Sequence, residues 1–144
     1  MQYDDQLKWA KALIATRLAD IKAAIATNAA NIDEYQQAIF DCSLSTAELG
    51  SAEALAKQAS STNHSLLSEM AEINAGLTIK SVSERMIAPV ESLGESATES
   101  MSPDTLRFVN ACQQPERLAK LGSQVVEAAG MRLQTLECLA TLTQ

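Results

Sequence analysis

Residue types that perform catalysis or bind metals are scarce in this chain. His64 is the one histidine among 144 residues, and no cysteine or second histidine lies within four residues of it to complete a pair of metal ligands. One histidine, three dispersed cysteines and no glycine-rich loop leave little material for a metal centre, a catalytic triad or a phosphate cradle. The sequence therefore predicts a protein that is not an enzyme and holds no cofactor or metal, with His64 exposed on the polar side of a helix.

Neighbouring carboxylates occur at Asp4/Asp5 and at Asp33/Glu34. Adjacent residues of a helix point about 100° apart, which is poor geometry for carboxylates that share a proton or bind one cation. A di-metal bundle would need glutamates and Glu-x-x-His motifs on its inward faces, and His64 is not placed in that way. Both acidic pairs are therefore interpreted as solvated surface.

The three cysteines are odd in number and far apart, at Cys42, Cys112 and Cys138. This pattern favours free thiols buried as small apolar side chains in a reducing compartment, and a redox or intermolecular role is the alternative. The sequence opens with Asp4 and Asp5 instead of a basic patch and an apolar run. Together these features predict a cytoplasmic protein.

Composition limits both the fold and the partners. Hydrophobic residues make up 47% of the chain, whereas aromatic residues make up 3%, and five glycines and three prolines are too few for the turns of a multi-stranded sheet. The net charge of −7 disfavours binding to nucleic acid. No stretch approaches the roughly 20 apolar residues of a transmembrane segment. We therefore expect residues 1–144 to form a single all-α domain.

A heptad pattern runs through the first part of the chain and predicts one helix over residues 4–42. It persists for about five heptads, and a helix about 54 Å long needs partners along its length. Two rows of residues form the pattern: Leu7, Ile14, Ile21, Asn28, Tyr35 and Cys42 in one, and Lys11, Leu18, Ile25, Ile32 and Ile39 in the other.

A second helix is predicted over residues 45–76, because Ser45 and Glu48 have the spacing of a capping box. A turn before Ser45 would let the two helices bury each other as a hairpin, and the alternative is one helix with a stutter in its register. Asn28 and Asn63 occupy seam positions. Either they face each other and fix the register, or each reaches water at the edge of the seam.

The last part of the chain carries clear start and stop signals. Pro89 ends a helix over 81–88, which Ser81 and Glu84 open as a second capping box, and residues 89–102 form a linker. Ser102-Pro103-Asp104 opens a helix over 103–113. Gln114-Pro115-Glu116 opens a helix over 115–142, in which Gly122 and Gly130 either mark the close crossing of another helix or loosen this one.

These patterns predict an all-α fold built as a long helical hairpin, an antiparallel coiled coil or a four-helix-type bundle, assembled into a homo-oligomer. The predicted interaction seam comprises Ile14, Leu18, Ile21, Ile25, Asn28, Ile32, Leu66, Met70, Ile73, Leu118, Leu121, Val125, Leu133 and Leu136.

A polar turn between a short helix and a longer one carries a family resemblance. It reads Val109-Asn110-Ala111-Cys112-Gln113-Gln114-Pro115-Glu116-Arg117-Leu118-Ala119-Lys120-Leu121. This stretch resembles the phasins, small helical proteins that coat bacterial polyhydroxyalkanoate granules, and the resemblance spans residues 109–142. It implies a helical oligomer without an active site that coats a hydrophobic granule surface, with Leu118, Leu121, Val125, Leu133 and Leu136 facing polymer or partner.

The isoleucine-rich seam of the N-terminal half is instead typical of a dedicated coiled coil. This pattern favours the alternative function, a protein–protein scaffold or a chaperone-like module associated with secretion, a phage or a toxin system. Such a module binds a partner through its helices.

Overall fold

The computed structural model describes residues 3–27, 33–87 and 101–142, with side chains up to residue 129. Helices α1 and α2 span Asp4–Thr27 and Gln36–Thr62. They are followed by α3 (Ser65–Ile87), α4 (Pro103–Cys112) and α5 (Pro115–Leu142). No strand occurs within those ranges, so the predicted all-α fold is confirmed.

Helices α1, α2 and α3 pack against one another in an up-down-up bundle. Burial of each large aliphatic side chain contributes about 1.5–3 kcal/mol, whereas the alanines of α2 bury less area but allow the helices to approach closely. The main core residues of the three helices are Leu7, Ala10, Leu13, Ile14, Ile21, Ala38, Cys42, Leu49, Ala52, Ala56, Ala75, Ile79, Val82 and Met86.

The prediction of one helix over residues 4–42 is wrong, because α1 ends at Thr27 and α2 begins at Gln36. The hydroxyl of Thr27 donates to the backbone oxygen of Ala24 at 2.9 Å, and Gln36 Nε2 donates to Asp33 Oδ1 at 2.7 Å. The break lets the two halves of the heptad pattern bury each other as neighbouring helices. Residues 28–32, which include Asn28 and Ile32, lie outside the described residues.

The predicted turn before Ser45 is also wrong, because α2 runs through this position without interruption. Ser45 is completely buried, and its hydroxyl accepts a hydrogen bond from Arg85 of α3 at 3.2 Å. No stutter is needed either. The buried residues of this region keep steps of three and four throughout: Tyr35, Ala38, Cys42, Ser45, Leu49, Ala52, Ala56 and Ala59.

A polar clamp joins α2 to α3 beside Ser45. The guanidinium of Arg85 donates to both carboxylate oxygens of Glu48, at 2.7 and 2.9 Å, and to the hydroxyl of Ser81 at 3.0 Å. The hydrogen bonds to Glu48 raise the pKa of Arg85. Glu48 and Ser81 lie inside α2 and α3 and bind the side chain of Arg85 instead of capping a helix start. Neither of the two predicted capping boxes therefore forms.

Helix α2 ends at Thr62, and its C-cap Asn63 has a left-handed backbone with φ of 49°. Asn63 is therefore a helix C-cap and not a seam residue. Asn28, the other member of the predicted pair, lies outside the described residues. Helix α3 then runs from Ser65 to Ile87 through Gly76 and Ser81. The predicted boundaries of the helices over 45–76 and 81–88 are therefore wrong. Helix α2 ends at Thr62, well before residue 76, and α3 continues through Gly76 and Ser81 without a break.

The predicted starts of α4 and α5 are confirmed. Ser102 accepts a hydrogen bond from the backbone nitrogen of Thr105 at 3.2 Å, as an N-cap does. The end of α4 at Cys112 falls one residue before the predicted boundary at 113. Most of the predicted linker over 89–102, up to residue 100, lies outside the described residues.

Helix α4 packs on α3 through its buried Val109 and Cys112. A Cβ atom added to Gly76 would overlap Cβ and Sγ of Cys112, so the two helices meet where only glycine fits. The ring of Phe108 stacks on Tyr3 at a centroid distance of 5.6 Å, which also ties α4 to the start of α1.

Candidate functional site

The predicted interaction seam divides between the core and the surface. Ile14, Ile21 and Ile73 are buried, whereas Ile25, Leu66, Met70 and Leu121 are half-buried. Leu18 is 45% exposed, so its predicted burial is wrong: α2 and α3 cover a different side of α1. Leu118 and Val125 are exposed as well, and Leu133 and Leu136 lie beyond the described side chains.

Helix α5 presents an unpartnered apolar face. None of its described side chains, from 115 to 129, is buried. The face contains Leu118 and Val125, each 37% exposed, together with the half-buried Leu121, and we name these three residues the α5 stripe. Contiguous apolar side chains at helical spacing usually face a core or a partner. The stripe is therefore the best candidate for an interaction site.

An ionic anchor holds the start of α5 against α3. Arg117 Nε donates to Glu69 Oε1 at 2.6 Å, and its second guanidinium arm lies 3.0 Å from Glu72 Oε1. The hydrogen bond from Arg117 lowers the pKa of Glu69. The hydrogen bonds to Glu69 and Glu72 in turn raise the pKa of Arg117. We name these three residues the Arg117 anchor. Its side chains are between about one quarter and one third exposed, so the anchor positions the helix more than it stabilises the fold.

Helix α5 runs antiparallel to α3. Cys112 lies against Gly76, Arg117 reaches the preceding turns of α3, and an open cleft of about 540 Å³ separates Lys120–Ala128 from His64–Glu69 at the start of α3. The helix therefore passes the α2–α3 turn near Ala128. It continues to Leu142, which is about 21 Å further at 1.5 Å per residue.

The glycine within the described part of α5 does not mark a close crossing inside the chain. An added Cβ at Gly122 would meet no atom within 4 Å, so the expected crossing of another helix is not made there. Gly130 lies beyond the described side chains. The space beside Gly122 is open to a partner from outside.

A second apolar surface is a groove of about 290 Å³ between α1 and α2. It is lined by Ile14, Leu18 and Leu49, with Gly50 in its wall, and an ion pair between Lys11 and Glu53 at 3.5 Å crosses its rim. This groove is smaller than the cleft between α3 and α5. It accounts for the exposure of Leu18.

The described cysteines are unsuited to nucleophilic chemistry. Cys42 and Cys112 are buried and free, as predicted. Burial raises the pKa of both thiols, and that of Cys112 to about 11. Thiols with such raised pKa values stay protonated and unreactive at neutral pH. Cys138 lies beyond the described side chains.

His64 has a local structural contact. It is exposed, as predicted, but it precedes α3 in the turn after Asn63 instead of lying on a helix face. Its Nδ1 accepts a hydrogen bond from the backbone nitrogen of Leu67 at 3.4 Å. In the described parts of the chain, no three His, Cys, Asp or Glu side chains are grouped to hold a metal ion.

None of the helices in the described ranges combines the length and the apolar character that a membrane crossing requires.

Comparisons of the chain with protein-family models, with curated protein sequences and with solved structures found no match. A function must therefore be inferred from the geometry of the chain's own residues.

Proposed function

We propose that this protein is a non-catalytic helical interaction protein that binds its partner through the α5 stripe. The observation that carries the proposal is the exposure of Leu118 and Val125 on a helix with no buried side chain up to residue 129. Among the described residues, the hydrophobic core contains side chains of α1 to α4 and none of α5. The Arg117 anchor holds the helix in place, so the stripe is presented to the surroundings on a fixed support.

The charge of α5 supports an apolar mode of binding. The helix carries three acidic and three basic residues, whereas residues 1–101 carry 14 acidic and 7 basic residues. An uncharged apolar face on an acidic protein disfavours nucleic acid and anionic membranes, which attract basic helices. The proposed partner is therefore the apolar face of another protein in the cytoplasm.

Phasin-like coating of a hydrophobic granule is a second candidate, and the width of the exposed face favours it. Val126 is 72% exposed and lies about 100° around the helix from Val125. Together with Leu121 it widens the apolar face beyond the narrow seam that one partner helix covers. A broad apolar face suits contact with a flat surface.

The test replaces two stripe residues by glutamate and compares the result with a matched variant. L118E/V125E places two negative charges on the stripe, and K120Q/S123E changes the net charge by the same amount at exposed positions on the opposite side of α5. Each purified protein is sedimented with polyhydroxybutyrate particles, and its native mass is measured in solution. Circular dichroism verifies that both variants keep the helical content of the parent protein.

We expect L118E/V125E to lose at least one of the two properties of the parent protein, its retention on the particles or its assembly with protein. K120Q/S123E should keep both. Retention on particles that depends on the stripe supports granule coating, and a discrete assembly that depends on it supports protein docking. The proposal is wrong if L118E/V125E behaves like the parent protein in both measurements.

A further inference from the structure

We infer that the groove between α1 and α2 docks an acidic amphipathic helix of another protein. The apolar ridge of that helix lies on Ile14, Leu18 and Leu49, and its carboxylates face lysines on the rim of the groove. This surface is separate from the α5 stripe, so the inference goes beyond the proposed function and does not depend on it.

The floor of the groove is apolar and leaves room for side chains of a partner. Ile14 and Leu49 are buried at the floor, and Leu18 is 45% exposed along its side. Gly50 leaves a gap in the α2 wall, because a Cβ added there would meet no atom within 4 Å. The volume of about 290 Å³ is at the lower limit of the pockets that bind small molecules, about 300 Å³. An open channel between two helices suits the apolar ridge of a third helix better.

The polar residue in the α2 wall already has a partner. The hydroxyl of Thr46 donates to the backbone oxygen of Cys42 in the same helix at 2.7 Å. Covering the groove with an apolar ridge therefore leaves no hydroxyl without a hydrogen bond, a loss that would cost about 1–3 kcal/mol. The wall thus accepts an apolar partner.

The sequence pattern of α1 favours a helix as the occupant. Ile14, Leu18 and Ile25 have the spacing of a coiled-coil seam, but α2 and α3 leave Leu18 exposed. Lys11, Ala15 and Leu18 all line the groove, at the spacing by which one helix packs against another. An extended segment would not match this period of about 3.6 residues.

The rim of the groove is basic, unlike the rest of the chain. Asp20 and Glu48 lie on other faces of their helices, and Glu48 binds Arg85 of α3. The charged residues of the groove face within one helical turn of its lining contribute a net charge of +3, and the remainder of the chain contributes −10. A positive rim attracts an acidic partner and repels a basic one. These rim residues are Lys8, Lys11 and Lys22 of α1 and Glu53 and Lys57 of α2.

The lysines at the two ends of the groove are available to a partner. Glu53 pairs with Lys11 at 3.5 Å, and Asp5 pairs with Lys8 at 3.4 Å. Among the described residues, neither Lys22 nor Lys57 forms an ion pair. Because α1 and α2 are antiparallel, these two lysines stand at opposite ends of the groove, about 22 Å apart along the helix axes. A helix of about 15 residues with carboxylates near both ends spans that distance.

The inference is tested with a fluorescein-labelled peptide of about 15 residues, in which leucine recurs every third or fourth position and glutamates flank the leucines. Its binding to the full-length protein is followed by fluorescence anisotropy. A second peptide has lysine in place of every glutamate.

Two pairs of variants separate the apolar and the ionic parts of the contact. G50L fills the groove, and S51L adds the same side chain at the next exposed position of α2, outside the groove. K22Q/K57Q removes the two end lysines, and K120Q/S123E changes the net charge by the same amount on α5. Circular dichroism verifies that each variant keeps the helical content of the parent protein.

We expect the parent protein to bind the glutamate peptide saturably and the lysine peptide at least about tenfold more weakly. G50L should lose binding, whereas S51L should stay within about twofold of the parent dissociation constant. K22Q/K57Q should weaken binding about tenfold, because each lysine loses a carboxylate of the peptide. K120Q/S123E and L118E/V125E should bind like the parent protein.

The inference is overturned if the parent protein does not bind the glutamate peptide, or if it binds the lysine peptide equally well. It is also overturned if G50L binds like S51L, or if K22Q/K57Q binds like K120Q/S123E. A parent dimer that G50L dissociates would assign the groove to a second copy and contradict the acidic partner. Binding that L118E/V125E loses and G50L keeps would assign the peptide to the α5 stripe, which contradicts the groove and leaves the proposed function standing.

Discussion

Replacing Gly76 by alanine tests the contact between α3 and α4. The new Cβ would overlap Cβ and Sγ of Cys112. The Cβ of Cys112 is attached directly to the backbone of α4, so a change of rotamer cannot remove the overlap and the helix must shift. The same substitution at Gly50 provides a control, because an added Cβ there meets no atom within 4 Å.

The two glycines differ in the balance of two effects. Alanine in place of glycine favours a helix interior by about 1 kcal/mol, and overpacking a core costs about 1–3 kcal/mol. Because a whole helix must shift, the cost of overpacking at Gly76 lies at the upper end of that range, about 3 kcal/mol. The gain in helix propensity offsets about 1 kcal/mol of it. We therefore expect G76A to lower the free energy of unfolding by about 2 kcal/mol, and G50A to raise it by about 1 kcal/mol.

Urea denaturation followed by circular dichroism measures both changes. The expected result is a change of opposite sign for the two variants. If G76A stabilises the protein as much as G50A does, α4 does not pack on α3 at Cys112, and the position deduced for α5 loses its support.

Two further predictions concern the Arg117 anchor and the buried thiols. R117Q should cost less than about 1 kcal/mol of global stability, because the anchor is partly solvated, but it should speed hydrogen exchange at the start of α5. The pKa of Glu69 is lowered in the folded protein, so its contribution is present above the ordinary value of 4.5 and is lost as the pH falls below it. Acid should therefore lower the protection of the α5 amides, measured relative to their intrinsic exchange rates at the same pH, in the parent protein and have little further effect in R117Q. Equal losses of protection in the two proteins would contradict the role of the anchor. The raised pKa of Cys112 acts in the opposite direction, so its contribution to stability is present below the ordinary value of 9.0 and is lost as the pH rises above it. Both proteins carry C138S, and the free energy of unfolding is compared with and without C112A. Between pH 8 and pH 10 it should fall less in C112A/C138S than in C138S, and identical pH profiles would contradict burial of this thiol.

Local signals in the sequence were sufficient to place the last two helices. Ser102 and the prolines at 103 and 115 act within a few residues of themselves, and their effect does not depend on the rest of the fold. The heptad rows likewise identified an all-α fold, because their period depends on helix geometry alone.

Long-range partners explain why the helix boundaries in the first half were missed. Ser45 has the local features of a cap, yet it lies in the core because Arg85, 40 residues later, donates to its hydroxyl. The break after Thr27 was missed because the heptad spacing continues across it. Equal spacing on both sides does not distinguish one long helix from two helices that fold onto each other.

The stripe of α5 was predicted from its spacing, but the Arg117 anchor was not. Glu69 and Glu72 are three residues apart and therefore lie on the same face of α3, which is a weak signal for a basic partner. Nothing local identifies Arg117 as that partner. Its position depends on the path of α4, which is set by the contact at Gly76.

The polar clamp of Arg85 gives the α2–α3 interface a single alignment. Much of the α2 side of this interface is alanine, at positions 52, 56 and 59, and alanines spaced by whole turns resemble one another. Sliding α2 along α3 by two turns would exchange Ala52 for Ala59, so the packing of these positions does not oppose the shift. It would also separate the guanidinium from Glu48, and a partly buried cation would lose its acceptors. Arg85 therefore fixes the register of α2 against α3, which the alanines alone would leave undetermined.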